Sequence, residues 1–228
     1  MKPCSDRSLQ ADKSPAEVQC TPLTAFTLLY IFCGPRRDGD MDDICFDRGL
    51  GLLAFDLERC EDHDILDDMF FEYVLNIVRE KRCNSVLQSP PCSTFAVVRG
   101  ATDDADSPRP LRDLSGPGIY GRADLTYKEK QAVRAGTACA VRASQIASLA
   151  SSLGIPWIIE TCGKYQRAFN MFELPDFVKL VEGGAVIKEV VQCAFGSYTT
   201  KPTRLMSFKV DLGDLPATCP HDKKAWIM

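Results

Sequence analysis

Among the eleven cysteines of this 228-residue chain, Cys92 has the most unusual mount. It closes the run Ser89-Pro90-Pro91-Cys92, which continues Ser93-Thr94-Phe95. Two prolines fix φ and leave a stiff, extended lead-in, which a merely packed cysteine does not require. A free thiol with a pKa of about 8.5 is only a few per cent thiolate at pH 7, so nucleophilic chemistry would need positive charge nearby. Arg99, Lys201 and Arg204 are the candidate sources. Glu160 follows the apolar stretch Pro156-Trp157-Ile158-Ile159. A carboxyl group among apolar neighbours suits a proton donor near neutral pH. Asp56 ends the segment Gly51–Phe55, the place where dinucleotide folds keep a carboxylate for ribose hydroxyls. Gly34 follows another apolar run and would let a ligand approach the backbone closely. Each residue also has an ordinary reading. Gly34 could mark a plain strand-to-helix turn, Asp56 a solvated carboxylate in an acidic run, and Glu160 a salt-bridged one.

The elements that must position these residues follow from hydrophobic pattern. Phe26 to Cys33 is apolar throughout and too short for a buried helix, so it reads as a strand covered on both faces. Further strands are expected at Gly51–Phe55, Asn84–Gln88, Pro156–Ile159, Val186–Cys193 and Arg204–Val210. Helices are expected at Asp40–Arg48, Asp67–Arg82, Thr126–Leu153 and Leu174–Glu182. Thr126 with Glu129 fits a capping box, and Gly183-Gly184 ends the last helix. This alternation predicts an α/β fold: a Rossmann-like, doubly wound, mostly parallel sheet in a single domain over residues 25–212. Residues 1–24 read as a disordered lead-in, 93–126 as a long active-site loop, and 213–228 as a tail. In such sheets ligands bind beyond the carboxyl ends of the strands. Four strands end in Cys33-Gly34-Pro35, Asp56, Pro90-Pro91-Cys92 and Glu160, so all four groups should converge on one crevice.

In this order the residues resemble the class I S-adenosylmethionine-dependent methyltransferases, specifically the cytosine-C5 DNA methyltransferases. Phe32-Cys33-Gly34-Pro35 is similar to that family's cofactor loop, normally Phe-x-Gly-x-Gly. Asp56 matches its ribose-binding acid, and Asp64-Ile65 its Asp-Ile pair near the adenine. Pro90-Pro91-Cys92 is similar to the motif that carries the nucleophile. Ile159-Glu160-Thr161 stands where the family has Glu-Asn-Val. Phe195-Gly196 through Lys201-Pro202-Thr203-Arg204 is similar to its Gln-x-Arg-x-Arg motif, with the double arginine reduced to Lys201 and Arg204. The resemblance implies S-adenosyl-L-methionine as cofactor, and nucleic acid as substrate, DNA ahead of RNA. It implies a flipped cytosine attacked at C6 by Cys92. Glu160 would act at N3, and Arg204 with Lys201 would hold the base carbonyl or a phosphate.

The sequence departs from that pattern at several points. Arg36-Arg37 replaces the second loop glycine, and Thr161 replaces Asn. Asp56 and Asp64 are eight residues apart, too close for a helix and strand between them. Only 18 residues follow Val210, so target recognition is expected from the 93–126 loop or from a protein partner. A catalytically degenerate nucleoside- or nucleic-acid-binding module and an RNA cytosine methyltransferase are the alternative readings. Net charge is −4, which excludes a uniformly basic nucleic-acid coat. Arg99, Arg109, Arg112, Arg122, Lys128, Lys130, Arg134 and Arg142 leave open a local phosphate-binding face, weighed against an ordinary mixed-charge surface. Odd cysteine number, no CxxC and no long apolar run argue for an intracellular chain without disulfide framework or membrane span. Metal-ligand spacing is absent around Cys219-Pro220-His221 and His63, so no metal is expected.

Overall fold

The computed structural model describes residues 26–96, 109–164, 168–197 and 201–220. The apolar runs bounded by Gly, Pro and Asn become six strands: β1 (Thr27–Ile31), β2 (Gly51–Phe55), β3 (Ser85–Gln88), β4 (Trp157–Cys162), β5 (Val186–Val191) and β6 (Pro202–Phe208). Four α-helices connect them: α1 (Met41–Asp47), α2 (Asp68–Arg79), α3 (Tyr127–Ser152) and α4 (Pro175–Glu182). Their starts follow capping chemistry. The Asp40 and Asp67 carboxylates accept from backbone N–H groups of the first turns of α1 and α2, and Thr126 and Glu129 form the reciprocal capping box of α3. Pro175 opens α4, where its missing N–H is no loss.

The sheet order is β2-β1-β3-β4-β6-β5. The first four strands run parallel, and β6 is antiparallel to both β4 and β5. This is the expected single Rossmann-like α/β domain. The carboxyl ends of β2, β1, β3 and β4 therefore share one sheet edge, as the crevice argument requires. Along α2, Phe71, Val74, Leu75, Ile77 and Val78 face the core. Along α3 four of the fully buried positions are alanines, Ala140, Ala143, Ala147 and Ala150, with Ile146 among them. Their i, i+3, i+4 spacing lets the helix lie close against the sheet.

The structure corrects three expectations. Burial alternates along β1, β3 and β4, with Leu29, Ile31, Val86, Trp157 and Ile159 enclosed, while Leu28, Tyr30, Leu87 and Ile158 are half-buried. One sheet face is thus closed and the other partly covered, rather than both being sealed. Strand β4 runs on through Glu160 to Cys162, so Glu160 lies within the strand and not at its end. Part of the long loop is also built: Gly116–Tyr120 forms a 3-10 turn, and the Asp113 N–H donates to Gly118 O at 2.9 Å. Among the described residues no helix is long and apolar enough to cross a membrane. The 1–24 segment, Arg99 and His221 lie outside the described residues.

Candidate functional site

At the end of β1 the chain turns sharply. Phe32 takes φ 60°, and its N–H donates to Phe55 O at 2.9 Å. Gly34, at φ 71°, follows in the left-handed region that glycine adopts without a Cβ penalty. Its N–H donates to Asp56 Oδ2 at 2.8 Å, while Asp56 Oδ1 accepts from Glu58 N–H at 2.8 Å. The Gly34 carbonyl in turn accepts from Arg59 Nε at 2.8 Å, and Arg59 also pairs with Asp42 at 2.8 Å. Arg59 thus ties the Phe32–Gly34 turn to α1, a role that sequence alone did not signal. Arg36 points outward to Asp43 at 3.0 Å, and the Arg37 N–H donates to Asp40 at 2.9 Å. Burial pushes the Cys33 thiol up to about 11, which keeps it neutral.

A cleft of about 360 Å³ opens beside this loop, lined by Phe32, Asp56, Asp64, Ile65, Pro91 and Cys139 among others. Asp64 Oδ1 accepts from Leu66 N–H at 2.9 Å, and Ile65 is buried. Both lie in the turns between β2 and α2, with no strand between Asp56 and Asp64. His63 packs against Phe55 and Phe70, and its Nδ1 is buried with no hydrogen-bond partner. The carboxylates of Asp56, Glu58 and Asp64, apolar walls and an unused ring nitrogen fit a nucleoside ligand. Asp56→Ala is expected to leave two N–H groups unpaired, to loosen the loop, and to weaken S-adenosylhomocysteine binding by about 10–100-fold in calorimetry. Unchanged affinity would remove Asp56 from the ligand site.

The third strand end delivers Cys92. Pro90 is buried and Pro91 exposed, and the Phe95 N–H closes a turn onto Cys92 O at 2.8 Å. The half-buried Cys92 thiol is pulled down to about 6. The largest cause is hydrogen bonding from the Cys162 side chain; burial opposes it, and the Cys162 backbone and Lys201 add to the lowering, while Glu160 works against it. The Cys162 thiol also lies 3.2 Å from the Phe95 carbonyl. With one proton and two acceptors in reach, the thiolate is the stronger acceptor once Cys92 ionises. The lowering favours the thiolate over the thiol relative to an ordinary cysteine. Cys162→Ala is expected to raise the midpoint of Cys92 alkylation from about 6 towards the ordinary thiol range. An unchanged midpoint would show that Cys162 is a bystander.

Glu160 and Cys162 share one face of β4, since they are two residues apart. Lys201 Nζ lies 3.6 Å from Glu160 Oε1, so the neighbour of this carboxylate is a cation rather than the apolar group expected. Arg204 is elsewhere. It is paired across the ladder with Thr161, on the opposite face from Glu160. Its Nη1 donates to Asn170 Oδ1 at 3.1 Å, and its Nε lies 3.3 Å from Glu189. The structure therefore brings Cys92, Glu160 and Lys201 together and leaves Arg204 out.

Three basic residues of the long loop and α3 are paired with the protein's own carboxylates. Arg109 pairs with Asp124 at 2.9 Å and Glu129 at 2.7 Å. Arg122 pairs with Asp113 and Asp124, and Arg142 with Asp68. Arg112 is buried; Lys128, Lys130 and Arg134 stay exposed. These three exposed cations lie in the first turns of α3. Phe169, Met171, Phe172 and Phe177 are core. Cys219 lies 3.2 Å from Cys193, far in the fold from the His63 cluster, and no metal-ligating cluster occurs among the described residues. Eight described cysteines are free thiols.

Fold and site together define a Rossmann-like α/β domain with a half-buried thiol at the same sheet edge as a cleft of about 360 Å³. No protein-family model and no curated protein matches the chain. Among solved structures it is similar to the Entamoeba histolytica methyltransferase EhMeth, with TM-score 0.41 and 11% identity, covering 85% of this chain and 57% of that one. It is also similar to the S. pombe Dnmt2 methyltransferase, with TM-score 0.42 and 11% identity, covering 82% of this chain and 51% of that one. A Spodoptera frugiperda DNMT2 mutant gives TM-score 0.38 and 13% identity, covering 87% and 56%. The chain thus spans about half the length of these structures.

Proposed function

We propose that the chain is an S-adenosylmethionine-dependent methyltransferase acting on C5 of cytosine in nucleic acid, with Cys92 as nucleophile. The observation that carries this reading is geometric: the Pro-Pro-Cys92 turn, the Cys162 thiol and the Glu160–Lys201 ion pair meet at the same sheet edge as the Asp56–Asp64 cleft. Adding the Cys92 sulfur to C6 of a flipped cytosine would place electron density on C5. Glu160 would stabilise the ring at N3, and Lys201 is the cation available to the base carbonyl. Bound S-adenosylmethionine would supply an electrophilic methyl group. Loss of the C5 proton and expulsion of the Cys92 thiolate then restore the ring. Covalent addition divides one difficult substitution into two easier steps. Phe32, Cys33, Gly34, Asp56, Asp64, Ile65 and Pro90 are assigned to the cofactor side.

DNA is the first substrate class in this reading. The internal pairing of Arg109, Arg122 and Arg142 favours a second: RNA or single-stranded targets, which need less groove contact. A protein partner supplying target recognition is a further route to duplex DNA. Incubating the protein and S-adenosylmethionine with oligonucleotides containing 5-fluorocytosine tests the reading. A denaturation-resistant adduct is expected, and its yield on duplex DNA, single-stranded DNA and RNA ranks the substrates. No adduct on any of them, with S-adenosylhomocysteine still bound, would instead indicate a binding module.

A further inference from the structure

We propose that Arg112 is a positioning residue, whose guanidinium clamps the turn after Cys92 onto α3 and thereby fixes where the Cys92 sulfur sits. Arg112 is only 3% exposed, and burial alone pulls its pKa down to about 10. Its acceptors are all neutral. Nη1 donates to Ile119 O at 2.8 Å, and Nη2 donates to Thr94 Oγ1 at 3.0 Å, Val133 O at 3.2 Å and Thr137 Oγ1 at 3.0 Å. The guanidinium lies 3.7 Å from the centre of the Phe95 ring, and Nε has no hydrogen-bond partner. A buried charge without a counter-charge is a poor way to stabilise a fold, since an apolar side chain of similar volume avoids desolvation. What the guanidinium does achieve is geometric, because its planar fork reaches three segments at once. These are the 109–120 loop through Ile119, helix α3 through Val133 and Thr137, and the turn after Cys92 through Thr94 and Phe95.

A second feature of the chain supports the same contact. Gly136 interrupts the Ala-rich α3, and a Cβ there would lie 2.8 Å from Thr94 Oγ1. The helix therefore leaves room for Thr94 at the point where Arg112 grips it. From Phe95 the connection to the nucleophile is short, because the Phe95 N–H donates to Cys92 O and its carbonyl lies beside the Cys162 thiol. Moving Phe95 would move the sulfur relative to Cys162, Lys201 and Glu160, the groups that face it.

The catalytic meaning of this clamp rests on the reading of Cys92 as nucleophile, but its test does not. The pH profile of Cys92 alkylation by iodoacetamide, followed on the Cys92 peptide by mass spectrometry, reports where the thiol sits. In the full chain the midpoint should be near 6. Arg112→Met is expected to raise it by at least about one unit. Arg112→Lys keeps a charge but has no fork, and should shift it the same way. Thr94→Val, a milder change, serves if Arg112→Met does not fold. A purely structural role would lower the melting temperature and leave the midpoint in place. An unchanged midpoint in folded Arg112→Met, or in both Arg112→Lys and Thr94→Val, overturns the proposal. Wild-type protein that binds no S-adenosylhomocysteine and forms no cytosine adduct would remove the methyltransferase reading and leave the Arg112 result standing.

Discussion

Cys92→Ala is expected to abolish adduct formation with 5-fluorocytosine oligonucleotides and to lower methyl transfer by at least about 10⁴-fold. The size follows from the chemistry, because cytosine C5 is a weak nucleophile until a group has added at C6. Removing the sulfur removes that activation, and no other described thiol can replace it. Cys162 lies close, but its thiol serves as the donor to Cys92 and is buried. Cys33 and Cys139 are held neutral by burial, each with a thiol pushed up to about 11. Affinity for S-adenosylhomocysteine should stay within about threefold of wild type, since Cys92 does not line the Asp56–Asp64 cleft. Methyl transfer within about tenfold of wild type would refute the nucleophile assignment.

Trp157→Ala should produce the largest loss of stability. Trp157 is fully buried at the start of β4, its ring stacks on Phe208 at 6.2 Å, and its indole N–H donates to Ser151 Oγ at 2.8 Å. Truncation leaves a cavity between α3 and the sheet and should cost about 3–5 kcal/mol. Against a total of about 5–15 kcal/mol that is a large share. With a urea m-value of about 3 kcal/mol per molar, the midpoint should fall by roughly 1–1.7 M. A shift below about 0.3 M would mean that the neighbouring Ala-rich helix collapses into the space. Trp157→Phe keeps most of the apolar volume and should fall between the two, with Ser151 losing its donor.

How far the sequence foretold this arrangement differs by element. The apolar runs at Thr27–Ile31 and Gly51–Phe55 were legible because strong breakers, Gly34-Pro35 and Asp56, follow them closely. The Thr126–Glu129 box marked the start of α3 to the residue. Cys92 was legible because two prolines make a local signal. Arg112 was not: a lone arginine in a charged loop looks like surface, and only the approach of α3, with Gly136 beside Thr94, buries it. Cys162 was hidden for a related reason. Its hydrogen bond to Cys92 depends on β4 lying beside β3, and its strand position could not be read once Glu160 was taken as the strand's end. The misplaced role of Arg204 has a third cause, since facing positions on β4 and β6 follow from ladder register, which spacing does not encode.

The reversal of one strand decides which cation reaches the reactive edge. Because β6 runs against β4, its first residues lie beside the last residues of β4: Thr203 faces Cys162, and the Gly163 N–H donates to Pro202 O at 2.7 Å. Lys201 is therefore carried to the rim. Had this segment entered the sheet in the common direction, its start would lie a full strand length away, about 20 Å at 3.3 Å per residue. The opposite end, with Lys209, would then have been the one at the rim. Chain polarity, more than composition, gives the carboxylate at position 160 its partner.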